Sequence, residues 1–162
     1  MKYYISMGSN LGRKRQNLTA ASRMLSEHGI KILRASSIYR TEPVDFRDQP
    51  WFFNQVLEVD APFAPLEFLN RIQAVEKAMK RVPRKDRGPR IIDIDILLAG
   101  QTIIKTPGLV IPHPRMDRRN FVLVPLAEIA PHAVHPLTRK KIRTLMRFSP
   151  DRAVVRKAGD AK

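Results

Sequence analysis

The order in which two kinds of apolar periodicity alternate limits the folds open to this chain more than any other feature. Residues 3–7, 30–39, 52–59 and 91–98 have the alternation or the β-branched content of strands, while two stretches between them have helical spacing. The first helical stretch places Leu18, Ala21, Met24 and Leu25 on one face and stops near Gly29, where a helix C-terminus commonly takes glycine. The second opens at Ala64-Pro65, with proline in a tolerated first-turn position. Its expected face is Leu66, Leu69, Ile72, Gln73 and Glu76. Glu42-Pro43 ends the second strand. The order β-α-β-β-α-β predicts an α+β sandwich of the ferredoxin-like type, with two helices packed on one face of an antiparallel sheet and the other face open to a ligand. Beyond it, Ala99-Gly100-Gln101 is read as a turn into a short partner strand over 102–105, and a short helix is expected over 118–126. Residues 1–148 are read as one domain and 149–162 as a basic C-terminal tail.

Composition excludes several classes. At 162 residues the chain can bury a core without covalent staples, and its hydrophobic content of 43% is that of a globular protein. No apolar run approaches the roughly 20 residues needed to cross a bilayer. The opening Met1-Lys2-Tyr3-Tyr4 enters a strand directly without the apolar core of a signal peptide, so a cytoplasmic location is the expectation. Cysteine is absent, which removes disulfides and thiolate metal sites. The formal charge is +15, and it is uneven: residues 1–80 carry 12 basic and 8 acidic side chains, residues 81–162 carry 18 and 7. That field favours an anionic partner without saying which one.

The sharpest local feature is Asp93-Ile94-Asp95 within an apolar strand. Residues two apart on a strand share a face, so Ile92, Ile94 and Ile96 turn to the core, and the two carboxylates stand together roughly 7 Å apart at the backbone. Two like charges so placed repel. A divalent cation resolves the conflict, and Mg²⁺ usually takes one or two protein carboxylates and fills its shell with water and phosphate oxygens. A pair of surface aspartates held by arginines is the plainer alternative for an isolated D-x-D.

The preceding segment bears on that choice. Residues 81–90, Arg81-Val82-Pro83-Arg84-Lys85-Asp86-Arg87-Gly88-Pro89-Arg90, put five basic side chains just ahead of the two acids. Arginine forks grip phosphate oxygens and Mg²⁺ neutralises the rest, which suits a nucleoside triphosphate; a merely solvated loop is the alternative. Gly8-Ser9-Asn10-Leu11-Gly12 is not a phosphate-binding P-loop, because three residues separate its glycines and no Lys-Ser/Thr pair follows. It is read as a tight strand-to-helix connection. Asn54 follows Trp51-Phe52-Phe53, and a planar amide with one acceptor and two donors fits the edge of a flat heterocycle whose faces Phe52 or Phe121 could cover. His113, between two prolines, has no partner at metal-ligand spacing, and structural and phosphate-contacting roles both stand.

Taken in order, five segments resemble the 6-hydroxymethyl-7,8-dihydropterin pyrophosphokinase family. They are Met7-Gly8-Ser9-Asn10-Leu11-Gly12, Ser36-Ser37-Ile38-Tyr39-Arg40-Thr41-Glu42-Pro43, Gln49-Pro50-Trp51-Phe52-Phe53-Asn54, Gly88-Pro89-Arg90 running to Leu97, and Ile111-Pro112-His113-Pro114-Arg115 running through Phe121 to Pro131. The resemblance implies a ferredoxin-like monomer that moves pyrophosphate from ATP to the dihydropterin in folate synthesis and releases AMP. It implies that Asp93 and Asp95 bind two Mg²⁺ ions, and that Asp93, Asp95, Arg81 and Arg90 are catalytic. Asn54 would read the pterin edge near Thr41, Pro43 and Val44, between Phe52 and Phe121. Gln73, Glu76, Ile96 and His113 would surround ATP, with Arg81, Arg84, Arg90 and Arg119 on its phosphates. The chain departs from the family pattern at Lys80 and Arg87, which stand where a glycine-arginine pair and a loop aromatic are common. Two rivals follow from the residues: a relative with an altered acceptor, and a basic nucleic-acid-binding module. The second lacks the aromatic signature of RNA readers, and a D-x-D on a central strand would repel a phosphate backbone.

Overall fold

Residues 1–45, 47–81 and 88–159 are described by the computed structural model. The chain starts with β1 (Lys2–Ser9), whose residues Tyr3, Ile5 and Met7 are fully buried. Helix α1 (Lys14–Glu27) follows and buries Leu18, Ala21 and Leu25, with Met24 only partly covered. It stops at Gly29, whose φ of +83° turns the chain where a side chain would be strained.

The expected strand over 30–39 is two strands, β2 (Lys31–Ala35) and β3 (Tyr39–Thr41). Both pair antiparallel with β4 (Phe52–Asp60), one after the other along its length. The break has a local cause. Ser36 Oγ accepts the Val56 N–H at 3.0 Å and the Ser36 carbonyl accepts Gln55 Nε2 at 2.8 Å, so side chains replace ladder bonds there. Helix α2 (Pro65–Ala78) opens at the expected proline. It buries Phe68, Ile72, Val75 and Glu76, whereas Leu66 is exposed. Two stripes share Ile72 and Glu76, and the stripe carrying Phe68 is the buried one because its ring stacks on Tyr3 with centroids 3.7 Å apart.

Strand β5 (Asp93–Ala99) completes the βαββαβ unit and pairs with β1. The expected partner strand over 102–105 does not join it. Instead β6 (Ile104–Thr106) and β7 (Leu109–Ile111) form a separate hairpin. A 3-10 turn at Met116–Arg118 leads into α3 (Asn120–Ile129), and α4 (Ile142–Arg147) follows. Residues beyond Phe148, set apart above as a tail, contribute β8 (Val155–Lys157), which pairs with β3. The main sheet therefore runs β5-β1-β4-β3-β8, with β2 also on β4. Its strand order and the helices packed on it are those of the ferredoxin-like fold.

The helices occupy both faces, which corrects the expectation of one open face. Helices α1 and α2 cover the face bearing Tyr3, Ile5, Leu57, Val59, Ile94 and Ile96. On the other face Val56, Leu97 and Leu98 pack with Val122, Leu123 and Leu126 of α3 and Ile142 of α4. A register shift between β1 and β5 at Tyr4/Ile5 lets consecutive Leu97 and Leu98 both join the second cluster. Glu128 docks α3 onto the break between β2 and β3, accepting from Ser37 Oγ at 2.8 Å and Tyr39 Oη at 2.7 Å. The rest of that face is the floor of a cavity. No helix among the described residues is long and apolar enough to cross a membrane.

Candidate active site

The cavity has a volume of about 460 Å³ and opens over the ends of β1, β4 and β5. Register builds its floor. Gly8 of β1 lies between Asn54 of β4 and Asp93 of β5, and Ser6 lies between Val56 and Asp95. Glycine is needed at the first position, since a Cβ there would sit 2.5 Å from Asn54 Oδ1. Asp93 and Asp95 share a face as the alternation predicts, and both line the cavity.

The acidic end is tightly coupled. Arg81 contacts Asp93 at 3.2 Å and Glu76 at 3.8 Å, and Arg90 Nε lies 3.5 Å from Asp93. Glu76 is buried on α2 and accepts the Ile94 N–H at 2.8 Å, so it seals the outer edge of β5 between the two aspartates. Burial, then the charges of Asp93 and Glu76, push the Asp95 carboxyl up to about 7 against Arg81 and Arg90. Burial likewise raises Glu76 to about 7, opposed by the Ile94 amide and Arg81. Three carboxylates thus face two arginines, an imbalance that a divalent cation would relieve. Among the described residues no three His, Asp or Glu side chains converge as a metal cluster. A cation here would rest on the two aspartates and complete its shell from water or ligand oxygens, the habit of Mg²⁺.

Arg90 is held in place by Asn10, a buried residue that joins three segments. Its Oδ1 accepts the Arg90 N–H at 2.8 Å, and its Nδ2 donates to Gln49 Oε1 at 2.8 Å and the Pro50 carbonyl at 2.9 Å. The Arg90 guanidinium lies over the Phe52 ring, 4.9 Å from its centroid. Before it, Lys80 has φ +63°, a left-handed turn that favours glycine and aims the chain toward Arg81.

The other end of the cavity is planar and less charged. Asn54 is buried and donates through Nδ2 to Thr41 Oγ1 at 2.6 Å. Phe52, Pro43, Val44 and Phe121 supply apolar walls. Asp45 ties the loop after β3 to the entrance of α3 through Arg119 at 3.2 Å and Arg115 at 3.8 Å. His113 donates its N–H to the Leu97 carbonyl at 3.0 Å, which fastens its loop to β5. Burial, then Arg119, lowers its imidazole pKa, so the ring is neutral near pH 7. Its Nδ1 accepts from the Arg115 N–H at 3.3 Å, which leaves the ring proton on Nε2.

Twelve of the residues singled out from sequence line this one cavity: Thr41, Pro43, Val44, Phe52, Asn54, Arg81, Arg90, Asp93, Asp95, His113, Arg119 and Phe121. Glu76 lies behind the aspartates. Gln73 is solvent-exposed on α2 and does not line the cavity, and the Ile96 side chain points into the opposite core, as the strand alternation requires. Arg84 and Arg87 lie outside the described residues. Sequence reasoning missed Gly8 and Ser6 on the floor, Asn10 behind Arg90, and Asp45 and Arg115 at the rim. Gly8, read above as the start of the connection after the first strand, lies inside β1, where a glycine marks a close approach.

A family model described as 7,8-dihydro-6-hydroxymethylpterin-pyrophosphokinase (HPPK) matches residues 4–131. The 2-amino-4-hydroxy-6-hydroxymethyldihydropteridine pyrophosphokinase of Bacillus subtilis is 42% identical over 127 residues, covering 78% of this chain and 76% of its own. The folic acid synthesis protein fol1 of Pneumocystis carinii is 44% identical over 135 residues, which cover 83% of this chain and only 18% of fol1. In a crystal structure of HPPK-DHPS from Plasmodium falciparum the TM-score is 0.72 at 18% identity, over 90% of this chain and 45% of that one, a likeness of fold. The chain thus spans a fifth or less of fol1 and under half of HPPK-DHPS, but three quarters of the Bacillus enzyme. The chain belongs to the 7,8-dihydro-6-hydroxymethylpterin-pyrophosphokinase family.

Proposed function

We propose that this protein transfers the terminal diphosphate of ATP to the hydroxymethyl oxygen of 6-hydroxymethyl-7,8-dihydropterin, a step of folate synthesis, acting as a monomer in the cytoplasm. One observation carries the reading: an acid pair flanked by arginines and a planar amide-aromatic slot share a single cavity. In the reaction the substrate hydroxyl oxygen bonds to the β-phosphorus, the bond from that phosphorus to the α,β-bridging oxygen breaks, and AMP leaves with that oxygen while the hydroxyl proton is lost.

The residues divide the work by position. Asn54 presents its amide to the pterin edge, held in orientation by Thr41. Phe52 and Phe121 cover the ring, and the backbone at Pro43 and Val44 closes the slot. Arg81, Arg90 and Arg119 lie beside the cavity, and their forks suit phosphate oxygens as charge spreads over them in the transition state. Neutral His113 has a ring N–H for an ATP oxygen, and Glu76 holds β5 so that both aspartates face inward. Asp93 and Asp95 would hold Mg²⁺, two ions on the family pattern, which when bound there would neutralise phosphate charge and lower the pKa of the attacking hydroxyl.

The test is AMP release from ATP with and without the dihydropterin. AMP is expected only when the pterin is present, and Asp95→Ala is expected to abolish it while the protein remains folded. Release of ADP, release of AMP without the pterin, or near-normal turnover by Asp95→Ala would overturn the assignment.

A further inference from the structure

The residues that close the planar end of the cavity are held by a segment that the family match, ending at residue 131, does not include. Two walls face each other there. One is the end of β3 and its following loop, carrying Thr41, Pro43 and Val44; the other is the first turn of α3, carrying Phe121. Neither wall is self-sufficient. Arg119 precedes α3 without giving it a side-chain cap, so the first amides of the helix need an acceptor from elsewhere. The β3 strand is three residues long and has an outer edge to pair.

Residues 151–157 supply both needs. Asp151 Oδ2 accepts the Asn120 N–H at 2.8 Å, and the Asp151 carbonyl accepts Asn120 Nδ2 at 3.2 Å. A carboxylate at that place satisfies an orphan amide and sits favourably at the positive end of the helix dipole. The other oxygen, Oδ1, accepts the Ala153 N–H at 2.9 Å and so sets the bend of the segment itself. Three residues on, Val154 is bonded to Glu42 twice: its N–H donates to Glu42 Oε1 at 3.0 Å, and its carbonyl accepts the Glu42 N–H at 3.0 Å. From there β8 runs along β3, with Val155 opposite Thr41 and Lys157 opposite Tyr39. Glu42 lies between Thr41 and Pro43, and Asn120 immediately precedes Phe121. One short stretch of chain therefore fixes both the wall that carries Thr41, Pro43 and Val44 and the ring-bearing wall.

We propose that residues 151–155 form a strap that sets the spacing of the pterin slot, with Asp151 as its positioning residue. The inference rests on the reading of that slot as the pterin site. Among the described residues no hydrogen bond or ion pair joins 151–155 to Asp93, Asp95, Arg81 or Arg90, and of the groups assigned to ATP only Arg119, which precedes Asn120, lies next to the strap.

Two measurements on the full chain test it. In steady-state assays Asp151→Ala is expected to raise the KM for 6-hydroxymethyl-7,8-dihydropterin about fivefold or more and to raise the KM for ATP by a clearly smaller factor, through Arg119 alone. Asp151→Asn, which keeps one acceptor for Asn120, is expected to fall between it and the wild type. In amide exchange, Asp151→Ala is expected to lose protection both at residues 120–122 and at residues 41–45. Unchanged pterin KM despite a lowered Tm, equal changes in both KM values, or faster exchange confined to residues 120–122 would each show a cap that serves α3 alone, and would overturn the strap. Should the wild type not turn over the dihydropterin at all, the functional reading falls, while the exchange measurement still decides whether the two walls are coupled.

Discussion

Gly8→Ala tests whether the floor of the cavity is as tightly specified as its geometry implies. The added Cβ would lie 2.5 Å from Asn54 Oδ1 and 3.5 Å from both Asn54 Cγ and Phe52 Cδ1, whereas real Cβ contacts do not fall below 3.0 Å. Gly8 is not among the residues with positive φ, so alanine meets no backbone penalty and the effect is steric. Asn54 cannot yield freely, because it is buried and its Nδ2 is committed to Thr41 Oγ1 at 2.6 Å. Rotating the amide away strands two buried polar groups, at a cost of about 1–3 kcal/mol. Moving β4 instead overpacks the core at a similar cost of about 1–3 kcal/mol. Either route lowers stability by about 2 kcal/mol, a fall in Tm of roughly 4–8 °C for a domain of this size. The catalytic effect should be larger, since displacing a substrate-positioning group by about 1 Å can cost 10²-fold. We expect kcat/KM for the dihydropterin to fall about 100-fold by that reasoning, with the KM for ATP nearly unchanged. Gly108→Ala, at a position with nothing within 4 Å, is the control and should be silent. A Gly8→Ala protein with normal pterin kinetics would show that the amide is not held where the mechanism needs it.

Asn10→Ala removes three side-chain hydrogen bonds that join residues 49–50 and Arg90 to the end of β1. It should cost about 2–3 kcal/mol in urea unfolding and lower kcat, because Arg90 loses its anchor; an unchanged kcat would exclude Asn10 from positioning. Glu58 is buried and accepts from Arg34 Nε at 3.1 Å and from the Tyr4 hydroxyl, and the Arg34 bond chiefly holds its pKa below the usual value. The folded state thus binds fewer protons at this site than the unfolded chain, so its contribution is present above the ordinary carboxylate pKa and is lost as pH falls through the depressed one. Glu58→Gln should therefore weaken the protein at pH 7 and flatten its loss of stability toward low pH, which denaturant titrations across that range would show or refute.

What sequence made legible was whatever depends on period and order. The strand containing Asp93 and Asp95 could be read because alternation alone puts both on one face, and the same rule sends Ile96 to the opposite core. The element order led to the sheet topology. What stayed hidden depends on contacts between distant segments. The α2 stripe was ambiguous because Leu66 and Phe68 both fit a helical face, and only the stack of Phe68 on Tyr3 decides between them. The run over 30–39 looked continuous because nothing local reveals that the Ser36 hydroxyl replaces a ladder bond to Val56. Strand β8 is three residues long in a basic stretch and exists by pairing with β3, so no periodicity could announce it. Asn10, Asp45 and Asp151 act as polar joints, a role without sequence spacing.

Charge shows the same division between what is global and what is placed. The chain carries +15, yet the cavity centre is acidic, with Glu76, Asp93 and Asp95 gathered against Arg81 and Arg90. A uniformly basic pocket would bind a polyphosphate tightly in its ground state and gain little for the reaction, because only interactions stronger in the transition state accelerate it. Here the basic surround raises the local concentration of an anion. On the proposed function, the crowded carboxyl groups at the centre, of which burial first and then neighbouring charge raise Asp95 and Glu76, would resist a bare phosphate and admit one that arrives with compensating positive charge. On that reading the arginines already paired to Asp93 would exchange a carboxylate for phosphate oxygens without being recruited from solvent. The net basic charge therefore speaks to encounter, and the small acidic cluster inside it to selection.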